Sequence, residues 1–186
     1  MEDRGLRERR AALLATLHGD VLEVGAGTGL ILEHYPHDVR LVLVEPEPAM
    51  AARLTDRLAS SNREATLVEA SAEALPFADG SFDAVVSTLV LCSVRSLPGA
   101  LGEIRRVLRP GGRLALIEHV RGSGRTAVLQ EVVAPASRLL LSCSPNRRTV
   151  EAVRSAGFDL TETPFELAGS APWTHPAMVG IAVRRP

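Results

Sequence analysis

The sequence contains no lysine: all 21 of its basic residues are arginine. Set against 22 acidic residues, they leave a formal net charge of −1. No basic excess is available to neutralise a phosphate backbone, so a nucleic acid is not expected as a partner. Aromatic residues make up only 3% of the chain, which leaves Ala, Val, Leu and Ile to build the core. Two cysteines, Cys92 and Cys143, are too few for a disulfide framework or a cysteine-rich metal centre. They read as small buried hydrophobes, with Cys92 alternatively a substrate contact. No His, Cys or carboxylate cluster has metal-ligand spacing, so no metal is expected. No apolar run approaches the roughly 18 residues of a membrane span, and the N-terminus has no signal-peptide pattern. A cytoplasmic protein without stable membrane insertion is the expectation.

The 186 residues suit one domain, and strand-like and helix-like segments alternate along them. Leu6, Leu13, Leu14 and Leu17 mark an amphipathic helix within 1–18. A short strand, Asp20 to Val24, runs into Gly25-Ala26-Gly27-Thr28-Gly29, and the pattern predicts a helix from Thr28 to Tyr35, stopped by Pro36. Leu41-Val42-Leu43-Val44 reads as a strand buried on both faces. The following helix starts at Glu47-Pro48 and carries Met50, Leu54 and Leu58 on one face. Further strands are predicted at 66–68, 82–87, 114–118, 158–167 and 178–183, with helices at 97–108 and 146–156. Residues 121–145 read as an insertion, apolar and interrupted by Pro135, which with the N-terminal helix either covers a substrate or packs on the domain.

The strongest local pattern is Val21-Leu22-Glu23-Val24-Gly25-Ala26-Gly27-Thr28-Gly29. Glycines after a first parallel strand let a ligand approach the backbone where a Cβ would clash. The spacing is G-x-G-x-G rather than the G-x-G-x-x-G of dinucleotide sites, and Leu30 fills the later slot. That favours a nucleoside without a pyrophosphate over NAD. Glu45, 16 residues after Gly29 at the end of the second strand, can accept both ribose hydroxyl hydrogens.

On these motifs the chain resembles the class I S-adenosylmethionine-dependent methyltransferases. The resemblance implies a Rossmann-like, seven-stranded, doubly wound α/β sheet, mostly parallel with an antiparallel last strand. It implies that Glu23, Gly25, Gly27 and Gly29 serve the methionine part of S-adenosyl-L-methionine, and that Glu45 binds the ribose. It places Met50 by the adenine, although Met50 fits the helix core stripe equally well. Ser71-Ala72-Glu73-Ala74-Leu75-Pro76-Phe77 resembles the family's D-A-x-x-L-P-F block, whose first two residues meet the adenine; Ser71 replaces the usual Asp. Ala26, Pro46, Glu73 and Thr88 complete the implied cofactor contacts. Val107-Leu108-Arg109-Pro110-Gly111-Gly112 resembles a family signature whose role is a helix stop and turn.

A narrower resemblance rests on Thr88 to Val94, Glu118-His119-Val120 and Pro172-Trp173 with Pro176. These are similar to the methyltransferase-like branch that includes thiol S-methyltransferases. Members usually carry Cys where this chain has Ala26, and Asp where it has Glu45; no counterpart of their N-terminal membrane anchor is visible here. The resemblance implies a small-molecule acceptor, with a thiol first and an amine or hydroxyl of a metabolite or lipid head group second. A non-catalytic S-adenosylmethionine-binding module is the third reading. His119, just after the fifth predicted strand, is either the general base and substrate contact or a hydrogen-bonded structural residue. Trp173 and His175 are candidate substrate contacts. Oligomeric state leaves no trace in the sequence.

Overall fold

The computed structural model describes residues 4–61, 63–167, 171–174 and 176–186. Seven strands form one sheet: β1 Asp20–Val24, β2 Arg40–Val44, β3 Ala65–Val68, β4 Phe82–Thr88, β5 Leu108–His119, β6 Phe158–Glu166 and β7 Pro176–Arg184. Their order is β3-β2-β1-β4-β5-β7-β6. The β1–β5 pairings are parallel, while β7 runs antiparallel to both β5 and β6. The expected doubly wound α/β architecture with an antiparallel last strand is therefore present. The strand order reverses at β1 and β4, which puts the β1 and β4 exits at the switch point where ligands bind in such sheets.

Alternate residues of the central strands feed two apolar layers. Along β5, Leu114 and Leu116 join Leu22, Val85, Ile104 and Phe158 on one face. Ala115 and Ile117 join Val21, Leu43, Leu54 and Leu14 on the other. Burial on both faces explains why these strands read as unbroken apolar runs.

The helices are α1 Arg4–Leu14, α2 Pro48–Ala59, α3 Leu97–Val107, α4 Gly124–Leu141 and α5 Thr149–Ser155. Helix α3 starts where Ser96 accepts a hydrogen bond from the Gly99 amide at 3.1 Å, with Pro98 in its first turn.

Three expectations need correction. No α-helix forms over 28–35; Leu32–His34 is a single 3-10 turn. Gly27 and Gly29 hold left-handed backbone angles (φ +57° and +74°), and Tyr35 is extended before Pro36, so too few helical residues remain to nucleate a helix. The turn borders a cleft of about 420 Å³ lined by residues including Gly29, Leu32, Tyr35, Arg57 and Arg63. Strand β5 begins at Leu108 rather than Leu114, because the chain passes from α3 straight into pairing with Phe82 across a register shift. The 121–145 segment is mainly one helix, α4, which continues through Pro135. Pro135 faces solvent, where water can satisfy the carbonyl it leaves without a partner. Gln130, Ala134 and Ser137 are the buried side of α4, while Val132, Leu139 and Leu140 are exposed.

Candidate active site

The site is built at the carboxyl edge of β1, β2, β4 and β5. Strand β1 ends in the glycine turn, and the turn is tied to β2 through Glu45. The Gly27 amide donates to one Glu45 carboxylate oxygen at 2.8 Å, and the Glu47 amide donates to the other at 3.0 Å. Each oxygen keeps lone-pair capacity for a further donor, as a pair of ribose hydroxyls requires. Gly25 (φ +64°) packs so closely under Val90 that a Cβ would sit 2.6 Å from a Val90 methyl. At Gly27 a Cβ would meet nothing within 4 Å, so the backbone there faces open space. The structure thus sets bare backbone at Gly27 beside a carboxylate pinned by two backbone amides.

Glu23 is buried beneath the turn and accepts a hydrogen bond from the Tyr35 hydroxyl at 2.8 Å. Burial pushes its carboxyl up to about 8, against the opposing pull of the Tyr35 hydrogen bond and the Arg10 charge. Arg10 of α1 also donates to the Thr88 hydroxyl at 3.4 Å, which places Thr88 between β4 and the N-terminal helix. Pro46 is exposed beyond β2. Met50 is 40% exposed at the start of α2, while Ala51 and Leu54 supply that helix's core contacts. Of the two readings of Met50, core stripe and ligand-facing surface, the structure removes the first.

Ala72 packs in the core, and Ser71 sits beside it. The Ser71 hydroxyl donates to the Glu73 carboxylate. The other Glu73 oxygen accepts from the Arg95 and Ser96 amides at 2.6 and 3.1 Å. Glu73 thus anchors the start of α3 and holds Ser71 in place; its oxygens are already engaged by the protein. Those bonds hold its carboxyl below the usual range despite partial burial.

Glu118 is a central residue that the sequence marked as a strand end and as part of a branch-like block, without a role of its own. It is fully buried and accepts from the Ser87 hydroxyl (2.6 Å), the Val90 amide (3.0 Å) and the Leu91 amide (3.1 Å). It clamps the loop after β4, where Leu89 adopts a left-handed φ of +60°. Burial raises its carboxyl above the ordinary range, opposed by those three bonds. The clamp fixes Val90 over the glycine turn and Cys92 beside His119.

His119 ends β5. Its Nδ1 lies 3.8 Å from the Cys143 Sγ, and its carbonyl accepts from the Thr149 hydroxyl at 3.2 Å. Cys92, His119 and Cys143 each present a donor atom within 4.8 Å of the others. The expectation of no metal rested on sequence spacing, and folding brings these three residues together from distant segments. A hydrogen bond between the two thiols lowers the Cys143 thiol and raises that of Cys92, which burial raises further. Trp173 is half-buried on a 3-10 turn, Pro172–Thr174. Its carbonyl accepts from the buried Gln130 amide at 3.0 Å, and the same amide also donates to the Val120 carbonyl. Gln130 therefore joins α4, the β5 exit and the Trp173 turn, a hub that a lone Gln in sequence gives no reason to single out. His175 lies outside the described residues.

Comparison with known proteins bears on the family and the fold. A family model described as a methyltransferase domain matches residues 22–116. A human thiol S-methyltransferase, TMT1A, is 38% identical over 144 residues, covering 74% of this chain and 59% of the relative. A phosphatidylethanolamine N-methyltransferase of Cereibacter sphaeroides is 33% identical over 131 residues, covering 69% and 64%. The matches thus span less than two-thirds of these curated relatives. Among solved structures, the YcgJ protein of Bacillus subtilis superposes with a TM-score of 0.77 at 18% identity, covering 97% and 98% of the two chains. The [4+2]-cyclase SpnF superposes with a TM-score of 0.76 at 18% identity, covering 97% of this chain and 80% of that one. Likeness at that level speaks for the fold alone, which serves more than one chemistry. The family match over more than half the chain settles membership: the chain belongs to the class I S-adenosylmethionine-dependent methyltransferase family.

Proposed function

We propose that this chain moves the methyl group of S-adenosyl-L-methionine to a small-molecule acceptor in the cytoplasm, with a thiol as the acceptor class. The observation that carries the reading is Glu45, pinned by the Gly27 and Glu47 amides with acceptor capacity to spare, beside a turn whose central glycine opens onto free space. When bound, the cofactor supplies an activated methyl group on a cationic sulfur. In this reading Gly25, Ala26, Gly27 and Gly29 border its methionine part, with Glu23 beneath them. Glu45 takes the ribose hydroxyls. Pro46, Met50, Ser71 and Ala72 border the adenine, Glu73 sets the Ser71 position, and Thr88 closes the β4 side. His119 contacts the acceptor, and Trp173 lines its approach.

A thiol needs little activation, since a pKa near about 8.5 already leaves a few per cent thiolate at neutral pH. Positioning then carries most of the rate; well-aligned reactants gain roughly 7–11 kcal/mol. The name of the human relative, thiol S-methyltransferase, supports this acceptor class. The test incubates the protein with S-adenosyl-L-methionine and a panel of thiols, amines and phenols, and reads products by mass spectrometry. Thioether formation with S-adenosylhomocysteine release is expected. Methylation confined to nitrogen or oxygen acceptors would overturn the thiol assignment.

A second reading, methylation of a lipid head-group amine, draws on the phosphatidylethanolamine relative and on the exposed Leu139 and Leu140 of α4. Activity on phosphatidylethanolamine vesicles with none on thiols would select it.

A further inference from the structure

We propose that Cys92, His119 and Cys143 form a mononuclear site for a thiophilic divalent cation, zinc in the first instance, whose fourth position takes an exogenous thiol. The first half stands on geometry alone; the second rests on the methyl-transfer reading above.

Two sulfurs and one imidazole nitrogen are the donor set that borderline-soft zinc prefers. Bond lengths of about 2.3 Å to sulfur and 2.1 Å to nitrogen set tetrahedral edges of roughly 3.6 Å for S···N and 3.8 Å for S···S. The Cys143 Sγ to His119 Nδ1 distance is 3.8 Å, and all three donor atoms fall within 4.8 Å of one another. Small side-chain rotations close the remaining gap.

The three donors come from separate segments, and each is held by its own bonds. Cys92 follows the loop that Glu118 clamps through the Val90 and Leu91 amides. Cys143 follows the left-handed Ser142 at the end of α4 (φ +52°), and the next amide, Ser144, donates to the Cys92 carbonyl at 2.9 Å. His119 is fixed by strand pairing to Ala177 and by the Thr149 hydroxyl on its carbonyl. Arg147 donates to the Leu91 and Val94 carbonyls and braces the same loop. Ligands pre-positioned in this way are what a cation site requires.

Three protein ligands leave one position for an outside ligand, the pattern of catalytic rather than structural zinc. The cluster lies on the glycine-turn edge, since Val90, two residues before Cys92, covers Gly25. A thiol bound there gives up its proton to water and is held as thiolate. In the transfer, its sulfur lone pair forms the new bond to methyl as the sulfonium–methyl bond breaks, releasing S-adenosylhomocysteine and a thioether.

The test is cobalt(II) titration of the reduced, metal-stripped 186-residue chain. Uptake of one equivalent is expected, with the intense visible bands of tetrahedral cobalt and sulfur-to-cobalt charge-transfer absorption, both abolished by added zinc. Adding 2-mercaptoethanol should strengthen the charge-transfer band. Cys143→Ser and Cys92→Ser should each lose at least tenfold in cobalt affinity while S-adenosylhomocysteine binding, read by calorimetry, is retained. Absence of these bands in the wild-type protein overturns the metal site, as does a Cys92–Cys143 disulfide as the only product of air exposure with no metal uptake after reduction. Metal uptake with a spectrum indifferent to thiol overturns the open position. Failure to bind S-adenosylhomocysteine would instead overturn the methyl-transfer reading and leave the cobalt result standing on its own.

Discussion

Replacing Glu118 by alanine is the substitution whose cost the structure fixes most firmly. The carboxyl is fully buried and accepts three hydrogen bonds, two from backbone amides and one from Ser87. Removing it strands three donors, each costing about 1–3 kcal/mol when left unpaired in the interior. Water entering the vacated volume will satisfy some of them, so the lower end of the sum applies, roughly 3 kcal/mol. Glu118→Gln keeps one oxygen acceptor and should cost about 1–2 kcal/mol. In urea, with a slope near about 2 kcal/mol per molar, the alanine variant should unfold roughly 1.5 M earlier than wild type. A second readout follows from the clamp: alkylation of Cys92, buried in the intact protein, should accelerate in the alanine variant and only slightly in the glutamine one. A loss under about 1 kcal/mol for alanine, or equal costs for the two variants, would refute the clamp.

Gly27→Ala should cost only about 1–2 kcal/mol, the left-handed penalty, because its Cβ points into open space, yet it should weaken S-adenosylhomocysteine binding at least tenfold. Gly25→Ala should destabilise more, since its Cβ also collides with Val90; thermal melts and calorimetry on both separate the two effects. The Glu23 carboxyl lies at about 8 in the fold against about 4.5 in the unfolded chain, so its contribution is complete below about pH 4.5 and is lost as pH rises through 8. A span of that size corresponds to on the order of 5 kcal/mol, visible as denaturation midpoints that fall progressively between about pH 4.5 and 8; flat midpoints contradict it. Tyr35→Phe removes the bond that stabilises the charged form and should move this loss to higher pH.

Much of this architecture was legible in the chain because local pattern and tertiary role coincide. Leu41, Leu43 and Val44 are buried and Val42 half-buried, close to the two-faced burial the run implied, and Glu45 at their end bonds the glycine turn. The 28–35 segment misled because Pro36 offers a helix stop after the glycine turn, while the left-handed glycines before Leu32 are set by that turn. Glu118 was hidden because its partners, Ser87 to Leu91, lie about 30 residues upstream and meet it only through β4–β5 pairing. The same holds for Cys92, His119 and Cys143: no sequence spacing relates them, and the sheet edge does. Glu73 shows the reverse case, a residue within a cofactor-like block whose carboxylate is engaged by backbone amides of α3's approach.

The most direct test of the account is calorimetric titration of S-adenosylhomocysteine into the wild-type protein and into Glu45→Ala. Two hydrogen bonds to a charged carboxylate, each worth about 1.5–3 kcal/mol, predict clear binding by the first and at least a hundredfold loss in the second. Equal affinity in a variant that remains folded would contradict it.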